Sequence, residues 1–256
     1  MENNILNYKT FGKGEPLVVL HGLFGSLDNW QSIAKTWAND YQVVLVDLPN
    51  HGKSYHTDSF SYDQMATAVL ELCDHLKFDS INLLGHSMGG KTAINFAVNY
   101  PDRIKKLIVV DIAPKAYPPH HDEILEGLHS LNPNELSSRK EADEKLALKI
   151  ENVGVRLFLL KNLKRNDQGG YEWKMNLPLL TESVSSVIGT NKIPFPISTP
   201  TLFVRGGQSN YILDSDFDFI FENFPYAAIE TIENAGHWVH AEQPEQLDQL
   251  VTSFLS

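Results

Sequence analysis

The sequence predicts an α/β fold: a mostly parallel central sheet with helices on both faces and a helical cap inserted after the strand ending at Asp111. Three observations carry this. Short apolar runs at residues 17–20, 43–46, 81–84 and 107–110 read as buried strands, and amphipathic stretches separate them. Strands that alternate with helices specify a parallel sheet covered on both faces. From residue 115 to 197 the buried β-runs vanish and charged helical stretches replace them. Between the run at 81–84 and the apolar-striped helix at 91–98 lies Gly85-His86-Ser87-Met88-Gly89, a G-x-S-x-G pattern on a strand-to-helix turn.

Taken in order, residues 6–11 alternate as a strand, and Gly12-Lys13-Gly14-Glu15-Pro16 turns the chain into the strand at 17–20. Trp30, Ile33, Ala34 and Trp37 recur at helical spacing, with Asp28 or Asn29 as the expected N-cap. The strand at 43–46 ends in a loop, Asp47 to Ser54, that holds Asp, His and Ser together. Its Pro and Gly mark a turn, and an Asp after a strand commonly satisfies loop amides, so the reading here is structural. Ser61-Tyr62-Asp63-Gln64 opens a helix over 61–77 as a capping box. Cys73 shares a helical stripe with Tyr62, Met65, Val69 and Leu76 and reads as a small core residue. Tyr100-Pro101-Asp102 stops the helix after the Ser87 turn.

Helices are expected over 122–129, 135–151, 155–160 and 179–188, with the run 161–165 as a solvated edge and Pro194-Phe195-Pro196 as the return linker. The sheet resumes at 201–204, followed by a helix over 214–223, a strand over 228–232 and a closing helix from Pro244 to Leu255. Residues 1–114 and 198–256 thus form the expected core, and 115–197 the cap.

At 256 residues and 42% hydrophobic content the chain can bury a sizeable core. The 21 Lys+Arg against 32 Asp+Glu give a formal charge of −11, which argues against nucleic acid as a partner. No apolar stretch is long enough to span a bilayer. Met1-Glu2-Asn3-Asn4 lacks the basic and apolar regions of a signal peptide, and one cysteine permits no internal disulfide. A cytoplasmic location is expected. His120-His121 could suggest a metal, but adjacent residues point apart on a helix and no zincin spacing accompanies them. No metal is expected.

The chemistry gathers on the loops after the strands. The glycines of the Ser87 turn allow backbone to approach closely, which holds Ser87 Oγ out above the sheet edge. The Met88 amide at the helix start is then one donor for an oxyanion. His21-Gly22-Leu23-Phe24-Gly25 follows a buried strand, and the Leu23 amide is the expected second donor, with Phe24 as the fallback. His21 orients this loop. His237 follows the last strand in a Gly-His turn and is the expected base, while His240 packs or binds backbone.

In order, the His21-Gly22 loop, the Asp47–Ser54 loop, the Gly85–Gly89 turn, the helical cap and Gly236-His237 resemble the α/β-hydrolases over the whole chain. More narrowly the chain resembles the YbfF-type esterases. His21 to Ser26, Gly85 to Lys91, Val110-Asp111-Ile112-Ala113-Pro114, Arg205-Gly206-Gly207 and Gly236 to His240 carry that likeness. Most α/β-hydrolases place the triad acid in a Gly-x-x-Asp turn after the cap, where this chain has Gly206-Gly207-Gln208-Ser209. Asp111, ending the strand beside the one that bears Ser87, offers the replacement, as the YbfF resemblance implies, with Ser209 in support. Asp214 and Asp216 are the alternatives. The resemblance implies a cofactor-free carboxylesterase, with acyl-CoA thioesters as a plausible substrate class. Leu23, Phe24, Met88, Trp238 and the cap residues Phe158 and Leu159 would suit an acyl chain. C–C bond hydrolysis or a lyase reaction on the same fold is the second reading, and a non-catalytic ligand-binding homologue the third.

Overall fold

The computed structural model describes residues 5–119 and 121–256; Met1–Asn4 and His120 lie outside the described residues. The strands are β1 (Tyr8–Phe11), β2 (Glu15–Leu20), β3 (Tyr41–Val46), β4 (Ile81–His86), β5 (Ile104–Val110), β6 (Leu163–Arg165), β7 (Tyr171–Trp173), β8 (Thr201–Gly206) and β9 (Ala227–Ile232). Seven of them form one sheet in the order β1-β3-β2-β4-β5-β8-β9, parallel throughout except for the antiparallel β1–β3 pair. The central strand β4 is buried at all six positions, which is why it puts apolar residues on both faces, as at Leu83 and Leu84, rather than alternating them with exposed polar ones.

The core helices are α1 (Gln31–Trp37), α2 (Tyr62–His75) and α3 (Met88–Asn99). Between β5 and β8 come α4 (Asp122–His129), α5 (Arg139–Leu146), α6 (Val153–Leu160), α7 (Leu177–Glu182) and α8 (Val184–Val187). After β8 follow α9 (Phe217–Asn223), α10 (Val239–Glu242) and α11 (Pro244–Leu255). One face of the sheet packs Trp30, Trp37, Leu247 and Val251 from around α1 and α11. The other packs Met65, Leu72 and Phe96 of α2 and α3 in a cluster that continues into Leu146, Leu159 and Leu180 of the cap. Cys73 is buried there, and burial pushes its thiol up to about 12.

Side-chain hydrogen bonds decide where the element ends differ from the sequence reading. Residues 27–29 form a 3-10 turn in which Asn29 Oδ1 accepts from the Ser26 amide at 2.7 Å, so α1 begins at Gln31 and neither Asp28 nor Asn29 caps it. Ser61 Oγ caps α2 by accepting from Gln64 N at 3.1 Å. The Gln64 side chain turns instead to Ser59 Oγ at 3.0 Å, so the capping box is only half made. The helix expected over 135–151 starts only at Arg139, because Ser138 Oγ accepts from Glu141 N at 3.1 Å. The one expected over 179–188 is two short helices meeting at Ser183. The run 161–165 is in part a strand: Leu163 is buried, β6 pairs with β7, and Lys164 meets Glu172 across the ladder at 2.7 Å.

The Asp47–Ser54 loop is a structural knot. The Asp47 carboxylate accepts from the amides of Leu27 (2.8 Å) and Lys53 (2.9 Å) and from Asn7 Nδ2 (2.7 Å). Lys91, buried on α3, ties the neck of the cap to the core. Its ammonium donates to the carbonyls of Lys115 (2.6 Å) and Gly189, the two segments that lead into and out of the cap. Burial lowers its pKa to about 7. Among the described residues no helix is long and apolar enough to cross a membrane.

Candidate active site

The carboxyl ends of β2, β4, β5, β8 and β9 converge where an open parallel sheet offers its crevice. At the end of β4 the chain turns so sharply that Ser87 adopts φ 53° and ψ −118° before α3 begins. A Cβ on Gly85 would lie 2.2 Å from the Gly89 carbonyl oxygen, so no side chain fits there. Asp111, just past the end of β5, likewise has a positive φ of 49°. Backbone in this region is costly for residues with side chains, and it concentrates at functional sites.

Both strained residues aim their side chains at His237. The Ser87 hydroxyl donates to His237 Nε2 at 3.1 Å, and His237 Nδ1–H donates to Asp111 Oδ2 at 2.8 Å. Asp111 is fully buried, and its carboxylate takes two further donors. The Gly206 amide reaches Oδ1 at 2.9 Å and the Ser209 hydroxyl reaches Oδ2 at 2.5 Å. Ser87, His237, Asp111 and Ser209 therefore form one hydrogen-bonded chain. Asp214 instead pairs with Arg205 at the surface (2.6 Å), and Asp216 pairs with Lys115 (2.5 Å), so neither is the partner of His237.

Further aromatic groups frame His237. The Tyr211 ring stacks on its imidazole with centroids 3.8 Å apart and planes 15° from parallel. His86 Nε2–H donates to its carbonyl at 2.8 Å. His240 stacks on Trp30 at 4.3 Å, as the packing role expected for it requires. The roles of Tyr211 and His86 were not readable in the sequence, because His86 fills a variable position of the Ser87 turn and Tyr211 lies in a loop without periodicity.

The loop after β2 presents three amides in a row. Gly25 N donates to Gly22 O at 2.9 Å, and Phe24 N donates to His51 Nε2 at 3.2 Å. Phe24, the fallback donor, is thus already engaged, whereas Leu23 N has no hydrogen-bond partner among the described residues and is the amide left over. His21 holds the loop as expected: Nδ1–H donates to Gly22 O (2.8 Å) and Nε2 accepts from Leu48 N (3.0 Å). Burial lowers the pKa of His21 to about 4. Burial together with the neighbouring His21 lowers that of His51 to about 3, so both are neutral acceptors at pH 7.

A cavity of about 190 Å³ opens above Ser87 and His237, walled by Leu23, Phe24, Ile124, Phe158, Tyr211 and Trp238. Phe158 of α6 faces Trp238 with centroids 6.1 Å apart. Two expected contacts fail. Leu159 is one step around α6, about 100° from Phe158, and packs in the core beneath the cap. The Met88 side chain is likewise buried in the core cluster and leaves only its amide near the site.

The α/β hydrolase fold family matches residues 15–244. Over 94% of this chain and 93% of the relative, the sequence is 35% identical to esterase YbfF of Escherichia coli. It is 38% identical to the mouse (Mus musculus) sn-1-specific diacylglycerol lipase ABHD11, covering 94% of this chain and 80% of that protein. Among solved structures, a marine microorganism esterase superposes with a TM-score of 0.95 at 43% identity, covering 98% of this chain and 99% of that one. With its strained serine turn, mostly parallel sheet and helical cap, the chain belongs to the α/β-hydrolase family and is a hydrolase of the esterase and lipase type.

Proposed function

We propose that this protein hydrolyses small carboxylic esters through an acyl-enzyme on Ser87, with Asp111 as the triad acid. The observation that supports this most is the unbroken chain from Ser87 Oγ through His237 to Asp111 at the floor of the cavity. Neutral His237 takes the Ser87 proton as Oγ attacks the ester carbonyl. The amides of Leu23 and Met88 donate to the oxygen that becomes negative, each of the kind worth about 10²–10³ in rate. Asp111 keeps His237 in the tautomer with its proton on Nδ1 and stabilises the imidazolium that forms. Ser209 and Gly206 N hold the carboxylate in place. The imidazolium then protonates the leaving alcohol, and water repeats the sequence to release the acid. None of these steps draws on a cofactor.

The cavity volume of about 190 Å³ lies below the ~300–1,000 Å³ usual for drug-sized ligands, which favours short acyl groups. Acyl thioesters, acyl-CoA included, undergo the same transfer and form the second substrate class. The names of the relatives, an esterase and a diacylglycerol lipase, favour oxygen esters.

Rapid mixing with p-nitrophenyl acetate tests the reading. It expects a burst of nitrophenol and, by mass spectrometry of quenched protein, an acetyl group on the peptide carrying Ser87. A fluorophosphonate should label the same residue and abolish turnover. Turnover that survives stoichiometric labelling would contradict the assignment.

A further inference from the structure

The oxyanion loop is gripped by the cap. Phe24 sits at φ 57°, a conformation unfavourable for a residue with a side chain, so something other than its own preference maintains it. Its amide is held from the core by His51 Nε2 at 3.2 Å. Its carbonyl is held from the cap, by Asn162 Nδ2 at 2.6 Å. Asn162 is buried and fixed within the cap by its own backbone. Its amide donates to Leu159 O at 3.0 Å, and its carbonyl accepts from Lys174 N at 2.8 Å. A side chain anchored in the cap thus reaches across to the core loop that presents the Leu23 amide.

A second cap asparagine repeats the arrangement one layer away. Asn176 N donates to Asn50 O at 2.9 Å, and its side chain reaches Asn50 Oδ1 at 3.2 Å. Asn50 is itself left-handed, at φ 68°, and immediately precedes His51, the residue that holds the Phe24 amide. Both supports of the Phe24 peptide therefore run into the cap, one directly and one through Asn50.

We infer that the seated cap completes the oxyanion hole: Asn162, with Asn176 behind it, is a positioning residue that holds the Phe24 peptide left-handed and so aims the Leu23 amide at the reacting oxygen. When the cap lifts, the Asn162 bond is lost and the loop relaxes toward ordinary backbone angles. Attack by Ser87 is then favourable only with the cap down, when bulk water is excluded. This rests on the serine-hydrolase reading of the site.

The test compares the full-length wild type with Asn162→Leu, which keeps the branched shape of the side chain without a donor. Asn162→Asp, of the same size and unable to donate to the carbonyl as a carboxylate, covers the case in which the leucine variant does not fold. Each is assayed for kcat and KM on p-nitrophenyl acetate. Each is also titrated with a trifluoromethyl ketone, which forms an oxyanion on Ser87, and with the matching methyl ketone, which binds as the neutral carbonyl. The inference expects kcat to fall about 10- to 100-fold with KM within about threefold. The trifluoromethyl ketone Ki should rise by the same factor while the methyl ketone Ki stays put. A merely structural role would move both inhibitors together or neither. A folded variant with wild-type kcat and trifluoromethyl ketone affinity overturns the inference. If Ser87→Ala keeps its turnover, the reading of the site has failed instead, whatever Asn162 does.

Discussion

The ring of Tyr211 lies flat on the imidazole of His237, with centroids 3.8 Å apart and planes 15° from parallel. The same loop delivers the Ser209 hydroxyl to Asp111, and Tyr211 N in turn donates to Ser209 Oγ at 3.2 Å. One short segment after β8 therefore steadies both the acid and the base. Aromatic pairs of this kind contribute about 0.5–1.5 kcal/mol, up to about tenfold in rate if the stack is needed in the transition state. Tyr211→Phe should keep kcat within about threefold, and Tyr211→Leu should lower it toward the tenfold limit. Steady-state kinetics of the pair would check this. Equal activity in both variants would make the stack incidental.

The acid is tested by a short series. Asp111→Asn should lower kcat by about 10⁴, because the amide favours the wrong histidine tautomer. Ser209→Ala removes one bond to a charged acceptor and should cost about 1–2 kcal/mol, or about 5- to 30-fold. Asp214→Asn disturbs only a surface pair with Arg205, so its kcat should stay near wild type. The reverse order, a dead Asp214→Asn beside an active Asp111→Asn, would refute the assignment.

Several histidines buried beneath the site make the fold sensitive to acid. Burial lowers His21 to about 4, and burial first, with neighbouring titratable groups adding to it (His21 beside His51, His237 and Lys161 beside His240), lowers His51 and His240 to about 3, against an ordinary value of 6.5. Below pH 6.5 the unfolded chain binds protons that the folded chain refuses. The stability each group confers is thus complete above 6.5 and declines as pH falls toward its folded value, by about 1.4 kcal/mol per pH unit. His240 Nδ1 has no hydrogen-bond partner among the described residues, so His240→Phe keeps the stack on Trp30 without leaving a new group unpaired. Urea unfolding from pH 7 to 4.5 should show this variant as stable as wild type at pH 7 and less dependent on pH below it. An unchanged slope would show that His240 is not neutral in the fold.

Cavity size makes a prediction about acyl chains. With about 190 Å³ above Ser87, kcat/KM on p-nitrophenyl esters should peak between acetyl and butyryl and fall at least about tenfold by octanoyl. A steady rise through dodecanoyl would contradict the size limit read from this cavity.

Much of this was legible in the sequence. The buried parallel strands read as unbroken apolar runs, and Ser87 was marked by glycines whose side-chain-free positions the turn requires. Asp111 stands out in the sequence because Ser209 occupies the place where a carboxylate is usual. What escaped was long-range or aperiodic. Asn162 lies within the basic run 161–165 that reads as a solvated edge, 138 positions from Phe24, and nothing local announces the contact. Leu159 and Phe158 were assigned together because composition cannot say which neighbour on a helix faces the cavity. The β6–β7 hairpin was hidden because Lys164 and Arg165 read as solvated edge, although their partners lie across the ladder on Glu172 and Tyr171.

The central claim is that Ser87 is the nucleophile, and the most direct measurement is kcat for purified Ser87→Ala on p-nitrophenyl acetate, with circular dichroism to show the fold intact. Loss of a triad nucleophile can cost about a million-fold in kcat, so turnover should fall to background with an unchanged spectrum. Retention of more than a few per cent of wild-type turnover by the folded variant would contradict the account.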